Sequence, residues 1–376
     1  MTIYVDVSSA VHAKAGLKRY AENLVRALEP LLGERLRLFQ NSLGRRGPLT
    51  GWEDHPTVGV RYGYRVWRAL VLLRQALHWP MNALLPGASL FHATEHLLPP
   101  LKDIPTVLTV HDLIFERYPK YHKIKNYLYL KAAMPLYCRR ATAIIAVSES
   151  TRGDIVDLYD IAPKKITVIP EAAAPNFRQQ PAERVEAIRR RYGLPPRYIL
   201  VVGTIEPRKN LRRLVDACGP LFVDDLADAL VLVGSKGWLY EDFFQHLETL
   251  PWRKEVLHTG FVPEEDLPAI YGGALLTVQP SLYEGFGLPV LEAMACGCPV
   301  CASDASSLPE VGADAARYFD PLNTEEMTHC ISQILRDPDL RQEMADKGLA
   351  RARDFSWEST ARQTLAVYQR ALDGNT

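Results

Sequence analysis

SLYEGFGLPVLEAMACG, residues 281–297, is the stretch from which the fold is read. It follows an apolar, β-rich run at residues 275–279. Gly285 and Gly287 let the backbone turn sharply and approach a ligand closely. Pro289 suits the first helical position, so a helix is predicted to start near Leu288. Its free N–H groups and positive dipole end would face the glycine turn, a natural diphosphate site. Glu292 lies about one turn into that helix, where a carboxylate can accept two hydrogen bonds from a vicinal diol such as a ribose. A plain strand–turn–helix with a stray acidic cap is the competing reading. Two glutamates, Glu284 and Glu292, around Gly-x-Gly-x-Pro argue against it.

Working outward, short β-like runs alternate with helical stretches. Runs at 198–202, 229–233, 256–259 and 299–302 read as strands, and 210–218 as a helix. The same rhythm occurs earlier. Strands are predicted at 3–7, 106–110, 143–147 and 166–169, with a loop after the first through Gly16 and a helix at 20–28. Ser148 can cap the helix after its strand. Residues 171–183, rich in Ala, Pro and Gln, form a plausible linker. The chain is therefore predicted to be α/β, with two doubly wound, Rossmann-like domains and a cleft between them. The expected limits are 1–175, 176–355, and a C-terminal helix over 356–376 returning to the first domain.

Gly203-Thr-Ile-Glu-Pro-Arg208-Lys209-Asn210-Leu211 follows a predicted strand and precedes a predicted helix. Two cations at a strand's carboxyl end can bind a diphosphate and stabilise it as it leaves. A solvated Arg-Lys pair is the alternative, but a helix start disfavours cations, so an anionic ligand explains them better. Gly16, between the first strand and helix, can bring backbone N–H groups to a phosphate, although such glycines often only make a turn. His111-Asp112 ends the strand at 106–110 and falls where ligands bind in open sheets, although a lone histidine is more often structural.

The bulk numbers fit two domains. The chain has 376 residues, 47% hydrophobic and 23% charged, and its formal net charge is zero. Residues 1–176 carry 23 basic and 15 acidic side chains, a surplus of 8, matched by a deficit in the remainder. A basic first half suits a membrane surface, a phospholipid or a lipid-linked phosphate, or simply two domains of opposite charge. The N-terminus lacks a signal peptide's pattern and no run is apolar enough to span a bilayer, so a cytoplasmic location is expected. Cys296, Cys298 and Cys301 could suggest a metal, but no second pair with zinc spacing follows. With Cys138, Cys218 and Cys330 they read as small apolar residues.

These motifs together resemble glycosyltransferase family 4, retaining enzymes of the GT-B fold. The resemblance spans essentially the whole chain, including Val147-Ser-Glu-Ser-Thr-Arg152 and Phe355-Ser-Trp357. It implies that Arg208 and Lys209 bind the donor diphosphate, helped by backbone at Gly285, Phe286, Gly287 and Leu288. Glu292 would hold the ribose, and Glu284 and His111 would contact the transferred sugar. Gly16 would admit the phosphates or acceptor, Gly203 would belong to the donor site, and Phe261 and Val262 would lie near the base, mostly through backbone contacts. The resemblance implies no cofactor and no metal, because side-chain cations do that electrostatic work. It offers no agreed nucleophile; a front-face reaction, with the leaving phosphate helping to deprotonate the acceptor, is the usual proposal. The segment Val168-Ile-Pro-Glu171 departs from the Asn-Gly often found there.

The donor implied is GDP-mannose, because the run from Gly203 to Asn210 looks like that of mannosyltransferases, with a UDP-sugar such as UDP-glucose next. The acceptor implied is a saccharide or a lipid-linked molecule in polysaccharide or glycolipid assembly; no nucleic-acid partner is expected. Two segments mix basic, aromatic and apolar residues: 59–79, with Arg61, Arg65, Trp67, Arg68 and Trp79, and 120–131. Peripheral contact with an anionic membrane or ordinary helix packing would each explain them. A sugar-nucleotide epimerase, a phosphorylase or a non-catalytic binding subunit of the same fold are the competing functions. A phosphorylase would need a pyridoxal-phosphate lysine, which is not identifiable. His111, Arg208, Lys209, Glu284 and Glu292 together speak against loss of catalysis.

Overall fold

The structure is a computed structural model that describes residues 1–12, 15–42 and 51–374. It divides into two compact units. The first contains Met1–Arg117, Ile124–Glu171 and the C-terminal segment from Ser356; the second contains Tyr118–Lys123 and Ala172–Phe355.

The first unit is built on β1 (Thr2–Asp6), β2 (Leu36–Asn41), β3 (Thr57–Val60), β4 (Ala88–Ala93), β5 (Thr106–Val110), β6 (Ala143–Ala146) and β7 (Ile166–Val168). They pair in parallel in the order β3-β2-β1-β4-β5-β6-β7. The second is built on β8 (Tyr198–Val202), β9 (Ala229–Val233), β10 (Val256–Gly260), β11 (Leu276–Gln279), β12 (Val300–Ser303) and β13 (Ala316–Phe319). Their order is β10-β9-β8-β11-β12-β13, again parallel. Both sheets are the Rossmann-like arrangement read from the strand–helix rhythm. Every residue of β8, β9 and β5 is buried. That is why these strands are continuous apolar runs: parallel sheets are covered on both faces. Burying one Val, Leu or Ile side chain contributes about 1.5–3 kcal/mol, so such a strand is strongly held.

The strands absent from the sequence reading have weaker patterns. β2 carries Arg37 and Gln40, β4 carries a buried His92, and β13 is only four residues with an exposed Arg317. The reading around Gly16 needs correction. A short helix, Ser8–Val11, follows β1, and Gly16 is the second residue of the helix Ala15–Leu32 rather than part of a loop. Residues 13 and 14 lie outside the described residues. The linker expected at 171–183 also differs at both ends: the helix Ala182–Arg191 has begun by its end, and Glu171 belongs to the first unit.

Caps fix the helices that matter below. Ser148 accepts from the Thr151 N–H and starts the helix Glu149–Tyr159. Ser356 accepts from the Ser359 N–H and starts the helix Trp357–Leu372, whose Trp357 ring lies 5.8 Å from that of Tyr20. All six cysteines are free and buried.

Candidate functional site

In each sheet the strand order reverses beside its first strand, so the loops leaving the two central strands diverge and open a niche at their carboxyl ends. In the second unit those strands are β8 and β11. The Gly203–Asn210 run leaves β8 and the Ser281–Glu284 run leaves β11, so topology brings together two motifs about 75 residues apart.

Glycine is required where β8 ends. Gly203 has φ +152, and a Cβ there would lie 3.2 Å from Cε of Lys209. The missing side chain lets Lys209 fold back under the strand end. A Cβ on Gly234, which ends β9, would lie 2.1 Å from the Gly203 carbonyl oxygen. Asn210, in the left-handed region at φ 56, then turns the chain into the helix Leu211–Val223. Its side chain donates to the carbonyls of Pro280 (3.0 Å) and Pro321 (2.7 Å), tying the two loops. The Leu282 N–H donates to the Arg208 carbonyl, 2.8 Å.

Glu284 is the centre of the cluster. Its Oε1 accepts from Lys209 Nζ (2.6 Å), Ser281 Oγ (2.6 Å) and Gln279 Nε2 (2.8 Å). Its Oε2 accepts from Arg208 Nη1 (2.6 Å). Burial alone would raise the Glu284 pKa, but the charges of Arg208 and Lys209, with hydrogen bonds from Lys209 and Ser281, hold it well below the usual carboxylate range. The same burial lowers the Lys209 pKa against the pull of Glu284. Glu206, 2.5 Å from Arg208 Nε, moves the other way: burial raises it despite Arg208 and Lys209. The niche therefore holds two cations, one firmly ionised carboxylate and one reluctant one. Both cations already face carboxylates, so an incoming anion would share them rather than meet free charges.

The turn after Glu284 is held by serines. Ser306 Oγ accepts from the Glu284 N–H at 2.8 Å, and Ser307 Oγ donates to the carbonyls of Glu284 (3.0 Å) and Phe286 (2.6 Å). Gly287, at φ +113, precedes the helix Leu288–Ala295, with Pro289 in its first turn. Glu292 is 1% exposed and its Oε2 accepts from the Tyr271 hydroxyl at 3.0 Å, so its carboxylate is a buried, partnered group. After β10, Phe261 is 75% exposed whereas Val262 is buried. The Gly234 N–H donates to the Gly260 carbonyl, 2.9 Å, which places the β10 exit beside the end of β9.

His111 and Gly16 lie in the first unit. His111 leaves the carboxyl end of β5, with Nδ1 2.9 Å from Glu171 Oε1 and Nε2 2.9 Å from the Thr94 carbonyl. Gly16 is at an exposed helix start, with open space where a Cβ would stand.

Sequence reasoning missed Gln279, Ser281, Glu206 and Glu171. Gln279 and Ser281 stand in the fold-deciding stretch or just before it, yet nothing in their spacing shows that their side chains turn onto Glu284. Glu171 sits 60 residues from His111, and only the pairing of β5, β6 and β7 makes them neighbours. Among the described residues no group of three or more His, Cys, Asp and Glu side chains could hold a metal ion.

Residues 185–351 match the family Glycosyl transferases group 1, and residues 15–177 match Glycosyltransferase Family 4. O-antigen chain mannosyltransferase B of Escherichia coli is 34% identical over 282 residues, 74% of this chain and 74% of that protein. Sucrose-phosphate synthase from Thermosynechococcus elongatus superposes with TM-score 0.78 at 20% identity, covering 99% of this chain and all (100%) of that one. HepE from Anabaena, in complex with UDP and glucose, gives TM-score 0.74 at 20% identity over 98% of this chain and 99% of that one. Two Rossmann-like units of this kind in one chain are the GT-B fold. The chain belongs to glycosyltransferase family 4, and it is a glycosyltransferase.

Proposed function

We propose that the protein is a retaining hexosyltransferase that moves mannose from GDP-mannose to a saccharide or lipid-linked acceptor in polysaccharide or glycolipid assembly. The observation that carries this is the Arg208–Lys209–Glu284 cluster at the switch point of the second sheet. In this reading the donor diphosphate lies against Arg208, Lys209 and the N–H groups of Gly285 to Leu288. Gly203 leaves room for its approach. Glu292 takes the ribose hydroxyls from Tyr271, and the backbone at Phe261 and Val262 borders the base.

The bond from the sugar's anomeric carbon to the diphosphate oxygen breaks, and negative charge grows on the diphosphate. Arg208 and Lys209 offset that charge. The acceptor hydroxyl bonds to the same face of the anomeric carbon, and its proton passes to the leaving phosphate. Glu284 has both oxygens occupied by four donors, which makes it a holder of the two cations rather than a nucleophile. His111 contacts the transferred sugar in this reading. No metal is needed, because the two cations and the helix N-terminus supply the electrostatic work.

Mannose is supported by the likeness to O-antigen chain mannosyltransferase B, and a UDP-sugar is the second reading because HepE binds UDP and glucose. Hydrolysis of a panel of nucleotide sugars, with thermal shifts by GDP, UDP and ADP, decides between them. GDP-mannose is expected to turn over fastest and GDP to stabilise most. If no nucleotide sugar is hydrolysed and no nucleotide raises Tm, a non-catalytic subunit is the correct reading.

A further inference from the structure

Glu171 ends the first unit, and its carboxylate lies against His111. The ring of His111 has an acceptor at each nitrogen. Nε2 faces the Thr94 carbonyl oxygen at 2.9 Å, and a carbonyl only accepts, so Nε2 carries a proton. Nδ1 faces a carboxylate oxygen at 2.9 Å, which in its ionised form also only accepts, so Nδ1 carries a second proton.

The groups around the ring decide where that second proton sits. Asp112, next in the chain, favours charge on the ring. His96 accepts the His111 backbone N–H at its own Nε2, 3.4 Å, so that nitrogen is unprotonated. His92 has its ring nitrogens on the Tyr368 hydroxyl (2.6 Å) and the Thr109 hydroxyl (2.7 Å). Burial, and then the charge of His111, push the His92 pKa down to about 3, so it is neutral. Tyr20 packs edge-on to His111 at 4.6 Å, and burial holds its phenol protonated. His111 is therefore the charged ring of this group. Its setting is rigid. Thr360 Oγ1 donates to the Pro170 carbonyl at 2.8 Å, immediately before Glu171, and Thr151 Oγ1 donates to the His111 carbonyl at 3.2 Å. Burial would lower the His111 pKa, but the hydrogen bond and charge of Glu171 overcome it and leave the value raised.

We propose that Glu171 is a positioning residue for glycosyl transfer: it holds His111 as an imidazolium with a fixed ring plane at the carboxyl end of β5. The proposal rests on the reading above that His111 attends the transferred sugar. Both ring N–H groups are committed, to Glu171 and to the Thr94 carbonyl, so loss of either proton releases the ring from one of its two anchors. The sign of the pH dependence follows. The folded-state value is raised above the unfolded one, near 6.5, so the pair's stabilisation is complete below that pH and is lost as pH rises through the raised value.

The test follows the His111 signal in full-length protein labelled with 13C-histidine, assigned by its loss in His111→Asn. It is run beside the pH dependence of kcat/KM for the nucleotide sugar that the wild type turns over fastest. His111 is expected to titrate above 6.5, with kcat/KM falling at the same midpoint. Glu171→Gln is expected to move both midpoints down by roughly one pH unit or more, a tenfold change in proton affinity. Glu171→Asp, which keeps the charge, is expected to restore part of the shift and serves if the Gln variant does not fold. A wild-type His111 that titrates at or below 6.5, or one that ignores Glu171→Gln, overturns the proposal. If the signal moves but the kcat/KM profile does not, Glu171 has no part in transfer. A wild type that turns over no nucleotide sugar removes the transferase reading itself, a separate outcome from either.

Discussion

The Arg208 side chain keeps 22% of its surface exposed and that of Lys209 keeps 7%, though both reach the same carboxylate. Arg208 is thus the cation a ligand would meet first, and Lys209 acts from beneath it. Arg208→Ala and Lys209→Ala are each expected to lower kcat/KM by about 2–4 kcal/mol in barrier terms, the cost of removing a donor to a developing anion. Lys209→Ala should also lower Tm, because it removes one of two cations from the buried Glu284. Steady-state kinetics with circular dichroism separate the effects, and near-normal turnover in both variants would remove the diphosphate assignment. At this scale the residue types were legible: Arg208, Lys209 and Glu284 stand in motifs whose chemistry is plain. Their mutual contacts were not, because a side chain's partner across 75 residues depends on which strands are adjacent.

Among the elements, the helix Trp357–Leu372 does more than its sequence reveals. It belongs to the first unit, and its buried Tyr368 hydroxyl holds one ring nitrogen of His92 at 2.6 Å. Tyr368→Phe leaves that nitrogen unpartnered in a fully buried ring, which should cost about 1–3 kcal/mol. In a domain of this size each kcal/mol lowers Tm by about 2–4 °C. Calorimetry checks this, and an unchanged Tm would mean that the hydroxyl contributes nothing to the fold. The basic, aromatic segments fall largely on the helices Tyr64–Ala76 and Ile124–Arg140. Trp67 is 2% exposed and stacks with Tyr62, and Arg68 is held by Asn126 Oδ1 at 2.8 Å and by the Tyr129 ring. Those two residues serve packing. Arg61, Arg65, Val66, Leu73, Leu77 and Trp79 are among the exposed residues of the first segment, and Ile124, Lys125 and Leu128 among those of the second.

For the whole molecule, two measurements bear on the proposed function. Activity is expected to survive EDTA; complete loss, restored by Mg²⁺ or Mn²⁺, would contradict the electrostatic role given to Arg208 and Lys209. No described helix is long and apolar enough to cross a membrane. The surplus of 8 basic charges in residues 1–176 and the exposed Arg61, Arg65 and Trp79 motivate a vesicle test. Co-sedimentation should rise with anionic lipid and fall with salt, since exposed charges are screened over about 8–10 Å at physiological ionic strength. Arg61→Glu with Arg65→Glu should weaken it. Indifference to anionic vesicles at low salt would assign the basic surplus to a soluble acceptor or to the charge balance between the units.

The sequence by itself determined the α/β class, the duplicated strand–helix rhythm and the family. Those follow from local facts: apolar runs bounded by glycine, a Gly-x-Gly-x-Pro turn, and charged residues at strand ends. The structure decided what local pattern cannot encode. It placed Gly16 inside a helix, buried Trp67, turned Gln279 and Ser281 onto Glu284, and seated Glu171 on His111. The last depends on the order in which parallel strands lie side by side, a long-range choice made by burial of both faces of a sheet at once. Nothing within a few residues of Glu171 records that choice, because its partner arrives on another strand.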